Sequence, residues 1–389
     1  MKILLTHRFF WPDTAPYALM LRMIGFELAL AGHDVHIFTT LPSYREGVSA
    51  PRQERVGPLN VRRIRVFARE KSNPLRRLAN VLIYCVALFI EVLRQRPDVV
   101  TASTFPPVVA AWSASLAARV TGAQFIYHMQ DIHPEVSFYA GHRLGRGILG
   151  RLLRWMDNQS LRRAACVVTL SSDMADTLRA RGLPDLPIRV LNNPALQADA
   201  ESAAPRGDLV KAAGVRRVIF AGNMGRFQNL PLLAEGVALC FDRHPNLELM
   251  FLGEGTVLPE LKRRWRDCPQ VRFAPFLPFA EARDVIANAD IGLVALRPNI
   301  YRVAYPSKIA TYLDLGLQVL ALVEPQSQLA QDLERMGNGV VPAAPTAEAI
   351  AMALEQILLR PPVGCAPKRP QNRSQTHWPE LVAALESRQ

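Results

Sequence analysis

The sequence predicts an α/β protein made of two doubly wound domains that face each other across a cleft, and three observations point there. Short apolar runs alternate with segments of helical period through most of the chain, the pattern of βαβ units around parallel sheets. A tract from Asn193 to Gly214 interrupts that pattern, and a second alternating set follows it. The 389 residues, 49% of them hydrophobic, exceed one ordinary core and supply enough apolar material for two.

The opening run, Met1-Lys2-Ile3-Leu4-Leu5-Thr6, is too short in apolar length for a secretion signal and reads as a strand over 2–6. Strands follow near 34–39, 61–66, 98–101, 124–129, 166–169 and 188–191, separated by helices over about 16–31, 74–95, 107–121, 148–163 and 172–181. Gly32, Gly122 and Gly182 stand where helix C-termini favour glycine. Domain boundaries are expected at 1–192 for the first domain, 193–215 for a linker with room for one short helix, and 216–372 for the second domain. The second domain's strands are expected near 217–221, 247–252, 271–274, 291–296, 318–322 and 339–341. Its helices are expected at about 229–243, 257–266, 280–288, 308–315, 327–335 and 346–359. A basic, Pro-rich stretch follows Pro361-Pro362, and the segment 373–389 closes the chain. Within it, Trp378 to Leu385 reads either as a helix that packs back on the first domain or as a frayed tail.

Five cysteines, odd in number and widely spaced, read as reduced thiols of a cytoplasmic protein and not as a disulfide or zinc framework. The net charge of +12 is unevenly placed: residues 1–190 hold 25 Lys and Arg against 14 Asp and Glu, and residues 191–389 hold 21 against 20. The front half is therefore the part drawn to anions, either a phosphorylated substrate or an anionic membrane face. Nucleic acid is not expected, since the basic residues are not interleaved with stacking aromatics.

Three turns carry candidate chemistry in the second half. Phe220-Ala221-Gly222-Asn223-Met224-Gly225-Arg226 and Leu252-Gly253-Glu254-Gly255 follow predicted strands, where glycines let backbone approach a phosphate. Tyr305-Pro306-Ser307-Lys308 opens a predicted helix, and Ser307 with Lys308 makes a seat for a diphosphate; a Ser N-cap beside a surface Lys is the plain alternative. All three fall at one predicted sheet edge. With no Asp-x-Asp pair in the chain, the charge of a leaving diphosphate would be met by Arg226, Lys308 and backbone amides, with no metal and no further cofactor.

In the first half, His128-Met129-Gln130-Asp131-Ile132-His133-Pro134-Glu135 concentrates polar groups at a strand end. Its spacing matches no familiar zinc pattern. General-base work or hydroxyl recognition by Asp131, with His128 nearby, is one reading; a capped loop with solvated histidines is the other. Residues Leu78 to Leu93 are apolar on almost every face, introduced by Arg76 and Arg77 and cut short of a membrane span by Asn80 and Glu91. Either the helix is buried between sheet and neighbour, or it lies in a membrane interface with Arg62, Arg63, Arg65, Arg69, Lys71, Arg76 and Arg77 near anionic lipid.

With these residues the sequence resembles glycosyltransferase family 4, most nearly its bacterial colanic-acid and O-antigen transferases. The likeness runs through Phe10-Trp11-Pro12, Gly32-His33-Asp34-Val35, Gln130-Asp131 with Pro134-Glu135, Gly222-Asn223-Met224-Gly225, Gly253-Glu254-Gly255, Ala289-Asp290 and Pro306-Ser307-Lys308. The resemblance implies a GT-B fold of two Rossmann-like domains and retaining transfer without a metal. It further implies a nucleotide-diphosphate sugar, UDP-linked by the family's habit, held by the second domain. The acceptor, a glycan or a polyprenyl-diphosphate-linked sugar, would lie on the first domain, in a cytoplasmic protein that is peripheral on the membrane's inner face.

On that basis Gly222, Asn223, Gly225, Arg226, Gln228, Glu254, Phe276, Tyr305, Ser307, Lys308 and Thr311 are the expected donor side. Asp131, Gln130 and His128 are the expected catalytic group, and Trp11, Pro12, His133 and Glu135 the acceptor side. The chain departs from the family where Asn223 and Gln228 replace an Arg and a Lys, where Val303 and Thr311 replace a pair of Glu, and where Gln130 replaces a His. The missing Glu pair leaves a second reading, a non-catalytic nucleotide-sugar-binding partner of a polysaccharide assembly complex. A third is a GT-B epimerase, which would need acid/base carboxylates in both domains.

Overall fold

The computed structural model describes residues 1–43, 47–67, 73–139, 147–196, 207–360 and 376–387. Arg69, Lys71, residues 197–206 of the expected linker and the Pro-rich tract with Cys365 lie outside them. The chain divides into two compact units: Met1–Asn193 with Val303–Tyr305 and Gln375–Gln389, and Pro194–Arg302 with Pro306–Ser374.

The first unit runs β1 (Lys2–Thr6), α1 (Pro16–Leu30), β2 (Asp34–Thr40), β3 (Gln53–Val56), β4 (Leu59–Ile64), α2 (Pro74–Gln95), β5 (Val99–Ser103), α3 (Val109–Thr121), β6 (Gln124–His128), α4 (Glu135–Tyr139), α5 (Gly147–Arg163), β7 (Cys166–Thr169), α6 (Ser172–Arg179) and β8 (Ile188–Val190). Its sheet is ordered β3-β4-β2-β1-β5-β6-β7-β8 and is parallel except for β3, which pairs antiparallel with β4. Ile3, Leu4 and Leu5 have no exposed surface, as expected for a central parallel strand covered on both faces. The strand β3 escapes the sequence reading because Gln-Glu-Arg-Val offers a single apolar residue, and its pairing starts β4 two residues earlier than the apolar pattern suggests.

The second unit runs β9 (Arg216–Ala221), α7 (Leu230–Ala238), β10 (Leu247–Leu252), α8 (Leu258–Arg264), β11 (Val271–Ala274), α9 (Phe279–Ala287), β12 (Ile291–Ala295), α10 (Lys308–Asp314), β13 (Gln318–Leu322), α11 (Gln328–Met336), β14 (Gly339–Val340) and α12 (Ala347–Leu358). The order β11-β10-β9-β12-β13-β14 is parallel throughout and reverses direction between β9 and β12, the switch point where α/β sheets open a crevice at their strand ends. Val218, Phe220, Leu249, Phe251, Leu293 and Leu320 build its core with α7 and α12.

The last helix, α13 (Trp378–Glu386), belongs to the first unit and packs on α1. Thr376 binds the Glu27 carboxylate through its amide and hydroxyl, and Gln124 Nε2 donates to Leu385 O. The Trp378 ring, 3% exposed, lies 5.1 Å from that of His128.

Candidate functional site

In the second unit the chemistry gathers at the switch point. After β9 the chain turns through Gly222, whose φ of 119° is costly for any residue with a Cβ. The following loop crosses the turn after β10 at a separation that only glycine permits. A Cβ on Gly253 would lie 2.2 Å from Gly222 O, and one on Gly255 would lie 2.3 Å from Met224 O. Two hydrogen bonds, Gly222 N to Leu252 O and Met224 N to Glu254 O, lock the crossing, and Gln228 Oε1 accepts from Gly225 N. Gln228 therefore shapes the turn; it does not stand in for the cation that the family carries there.

Lys308 supplies the charge. Its ammonium stands 3.3 Å from the centroid of the buried Phe220 ring, beside Gly222, where an added Cβ would sit 4.0 Å from Nζ. Among the described residues no carboxylate pairs with it, and desolvation pushes its pKa well below the ordinary lysine value. Tyr312 fixes the geometry: its ring fills the space left by Gly292, its hydroxyl accepts from Ala221 N, and α10 thereby anchors to the end of β9.

The helix start contributes less than expected. α10 has only seven residues, Ser307 has helical φ and ψ, and its exposed side chain caps nothing, so Lys308 carries the role assigned to the helix terminus. Asn223, Arg226 and Glu254 are exposed, and Arg226 has no partner among the described residues. Phe276 is half-buried after β11, and Thr311 is 9% exposed within α10. Tyr305 groups with the first unit and not with the donor-side turns.

In the first unit an uncharged chain of hydrogen bonds ends at Gln130. Gln130 Nε2 donates to both His128 Nε2 (2.7 Å) and Asn193 Oδ1 (3.2 Å), and Asn193 Nδ2 returns a bond to Gln130 Oε1. With Nε2 accepting, neutral His128 carries its proton on Nδ1 and gives it to Tyr17 Oη at 2.8 Å. Burial lowers the His128 pKa to about 3, with His7 adding to the effect, and burial lowers His7 to about 4. Both ring nitrogens of His128 are engaged and the residue is 2% exposed, so its influence on a substrate runs through Gln130 or Tyr17. The expected catalytic histidine is thus a buried ring with both nitrogens hydrogen-bonded within the unit. Tyr17 and Asn193 are not among the site residues expected from sequence; Asn193 ends the main segment of the first unit, in a stretch whose Asn-Pro reads only as linker.

Asp131 is half-buried and bridges by backbone to Ala304, while Ile132 N donates to Val303 O. Burial raises its pKa to about 6, which leaves it a carboxylate at neutral pH with enhanced basicity. Glu135 has a different place. It receives two bonds from buried Arg181, which also binds Asp157 and His133 O, and Arg154 lies 3.5 Å from it. That network joins α4, α5 and the segment after α6, and Glu135, expected on the acceptor side, takes part in it as an ion-pair partner. His133 is half-buried, its pKa lowered to about 4 chiefly by burial. Trp11 is half-buried with Arg22 over its ring at 5.3 Å, and its carbonyl accepts from Arg63; Pro12 is half-buried beside it. Among the described residues no three His, Cys, Asp or Glu gather as metal ligands.

Comparison with known proteins adds the class. The chain is similar in structure to sucrose-phosphate synthase from Thermosynechococcus elongatus, at 16% identity and a TM-score of 0.67 over 99% of this chain and 94% of that one. It is similar to Anabaena HepE in complex with UDP and glucose, at 14% identity and a TM-score of 0.63 over the full length of both. In sequence it is 23% identical over 282 residues, 70% of each chain, to the probable glycosyltransferase WbjE of Pseudomonas aeruginosa. The fold is the GT-B type that glycosyltransferases such as sucrose-phosphate synthase share. More particularly, residues 18–194 match the glycosyl transferase 4-like domain.

Proposed function

We propose that the protein is a retaining, metal-independent transferase that moves a hexosyl or N-acetylhexosaminyl group from a nucleotide-diphosphate sugar to a lipid-diphosphate-linked or free glycan acceptor. The observation that carries this reading is the unneutralised Lys308 ammonium beside the Gly222 turn at the switch point of the second sheet. There the amides of the turn and the ammonium would receive the diphosphate, and the charge that grows on the leaving oxygen would restore the lysine's proton affinity. Arg226, exposed on the same turn, would close on the phosphates from outside, with Glu254, Phe276 and Thr311 toward the nucleoside or sugar.

On the first unit Asp131 would accept the hydrogen bond of the acceptor hydroxyl, and Gln130, fixed by Asn193 and His128, would orient it. A UDP-linked donor, a place beside the colanic-acid and O-antigen transferases, and a role in bacterial surface polysaccharide synthesis complete the proposal. The similarity to WbjE, by name a probable glycosyltransferase, supports it.

The test is transfer itself. Purified protein screened against a panel of nucleotide sugars should gain thermal stability with one donor and release its nucleoside diphosphate when acceptor is present. Stabilisation without any transfer or donor hydrolysis would favour the non-catalytic partner. Interconversion of the nucleotide sugar with no acceptor present would favour an epimerase.

A further inference from the structure

The helices α2, α3 and α5 lie side by side, α2 on α3 and α3 on α5, with Trp112 and Trp155 in ring contact at 6.3 Å. Their outward surface is unusual in two ways. From Leu78 to Ile90 every exposed residue of α2 is aliphatic: Leu78, Leu82, Ile83, Val86 and Ile90, at 38% to 59% exposure. At its start α5 adds Ile148 (79%), Leu149, Leu152 and Trp155 (52%). The helix α2 is thus not buried between sheet and neighbour; it presents an apolar stripe roughly 20 Å long.

The second peculiarity is charge. The three helices carry eight arginines, Arg76, Arg77, Arg94, Arg119, Arg151, Arg154, Arg162 and Arg163, seven of them exposed. They carry two acids, and both are turned inward. Glu91 is 2% exposed and bound by Arg62, Arg94 and Gln95, and Asp157 is fully buried on Tyr127 and Arg181. Among the described residues of these helices no exposed carboxylate relieves the positive face, and only Arg94, on Glu91, and Arg154, 3.5 Å from Glu135 of α4, lie within ion-pair distance of an acid. At the ends of α3 and α5, Arg119, Arg162 and Arg163 surround a recess of about 240 Å³ with Ser115, Ala118 and Ala123, and Arg163 Nη1 is buried with no hydrogen-bond partner.

We propose that the α2–α3–α5 face docks on an anionic lipid bilayer, with the aliphatic stripe and Trp155 in the interface and a lipid phosphate in the arginine recess. An amphipathic face that lies in the interface needs this combination, and Asn80 and Glu91, both buried, keep α2 from spanning. A second copy of the chain is the poorer occupant, because a two-fold dimer through this face would press one net-positive arginine surface against another. The proposal deepens the membrane-side reading above and is independent of donor chemistry.

Flotation of the full-length protein with vesicles tests it. Vesicles of phosphatidylglycerol and phosphatidylethanolamine should bind the wild type at least about tenfold better than phosphatidylcholine vesicles, with loss at high salt. The surface variant Leu82→Gln/Val86→Gln should lose about tenfold in binding to the anionic vesicles, and Arg119→Gln/Arg163→Gln a smaller factor. Both should keep the wild-type melting temperature and its shift with nucleotide sugar, which separates failure here from failure of the transferase reading. Equal binding to neutral and anionic vesicles, no loss in the variants, or a solution dimer that Leu82→Gln/Val86→Gln dissolves would overturn it.

Discussion

The two sheets end in opposite chemistry. At the C-terminal edge of the second sheet a half-buried cation stands beside bare backbone: Lys308 over Phe220, with Gly253 and Gly255 crossing the Gly222 turn too closely for side chains. At the edge of the first sheet a chain of neutral polar groups runs from Tyr17 through His128 and Gln130 to Asn193, and the nearby carboxylate of Asp131 is raised toward neutrality. The contrast teaches that one fold can leave a cation bare at one strand end and tie the polar groups of another into neutral bonds.

The largest effect should come from the charged edge. Lys308→Ala is expected to lower kcat/KM by about 10²–10³ while the melting temperature holds or rises, since an unpaired, desolvated amine is removed. An activity within twofold of wild type would end the contrast. Next comes Asp131→Asn, expected to cost about 10² in kcat and to change stability in a pH-dependent way. Because burial raises the native pKa to about 6, the folded state holds this proton more tightly than the unfolded one. The stability it contributes is present below about pH 4 and is lost as pH rises through 6. The Asn variant escapes that loss, so its melting temperature should exceed wild type at pH 7 to 8 and converge with it near pH 4; parallel curves would remove the buried-carboxylate assignment.

A smaller loss, about tenfold, is expected for Gln130→Ala, which frees the His128 ring without removing charge. Imidazole nitrogen NMR sharpens this arm: wild-type His128 should hold its proton on Nδ1 and stay neutral down to pH 5, and the variant should lose the fixed tautomer. Smallest in activity is Glu135→Gln. It should leave kcat of the folded enzyme unchanged while lowering stability by about 1–3 kcal/mol, because it leaves buried Arg181 with less countercharge. A fall in kcat at equal stability would return Glu135 to the acceptor site.

The strands and most helices were legible because a parallel sheet demands runs of apolar residues on both faces, and Gly32, Gly122 and Gly182 adopt the positive φ that ends a helix. β3 was not legible, since an edge strand of Gln53-Glu54-Arg55-Val56 has little to bury. Lys308 and the glycine turns were readable from their position after strands. The roles of Tyr17, Asn193 and Arg181 were not, because each depends on contacts across 24 to 111 residues of sequence, as in Tyr17 to His128 and Arg181 to Asp157. Exposure of the α2 stripe was equally hidden, for a periodic apolar helix does not say whether anything covers it.

Tyr312 sets one last consequence. Because its ring rests on Gly292 in the sheet and its hydroxyl holds the amide just before the Gly222 turn, the lysine four residues earlier takes its position from the interior of the lobe. Precision at this site is inherited from the hydrophobic floor beneath it. Loosening that floor, with no change to any group a ligand touches, should blur the grip on the donor before it melts the protein.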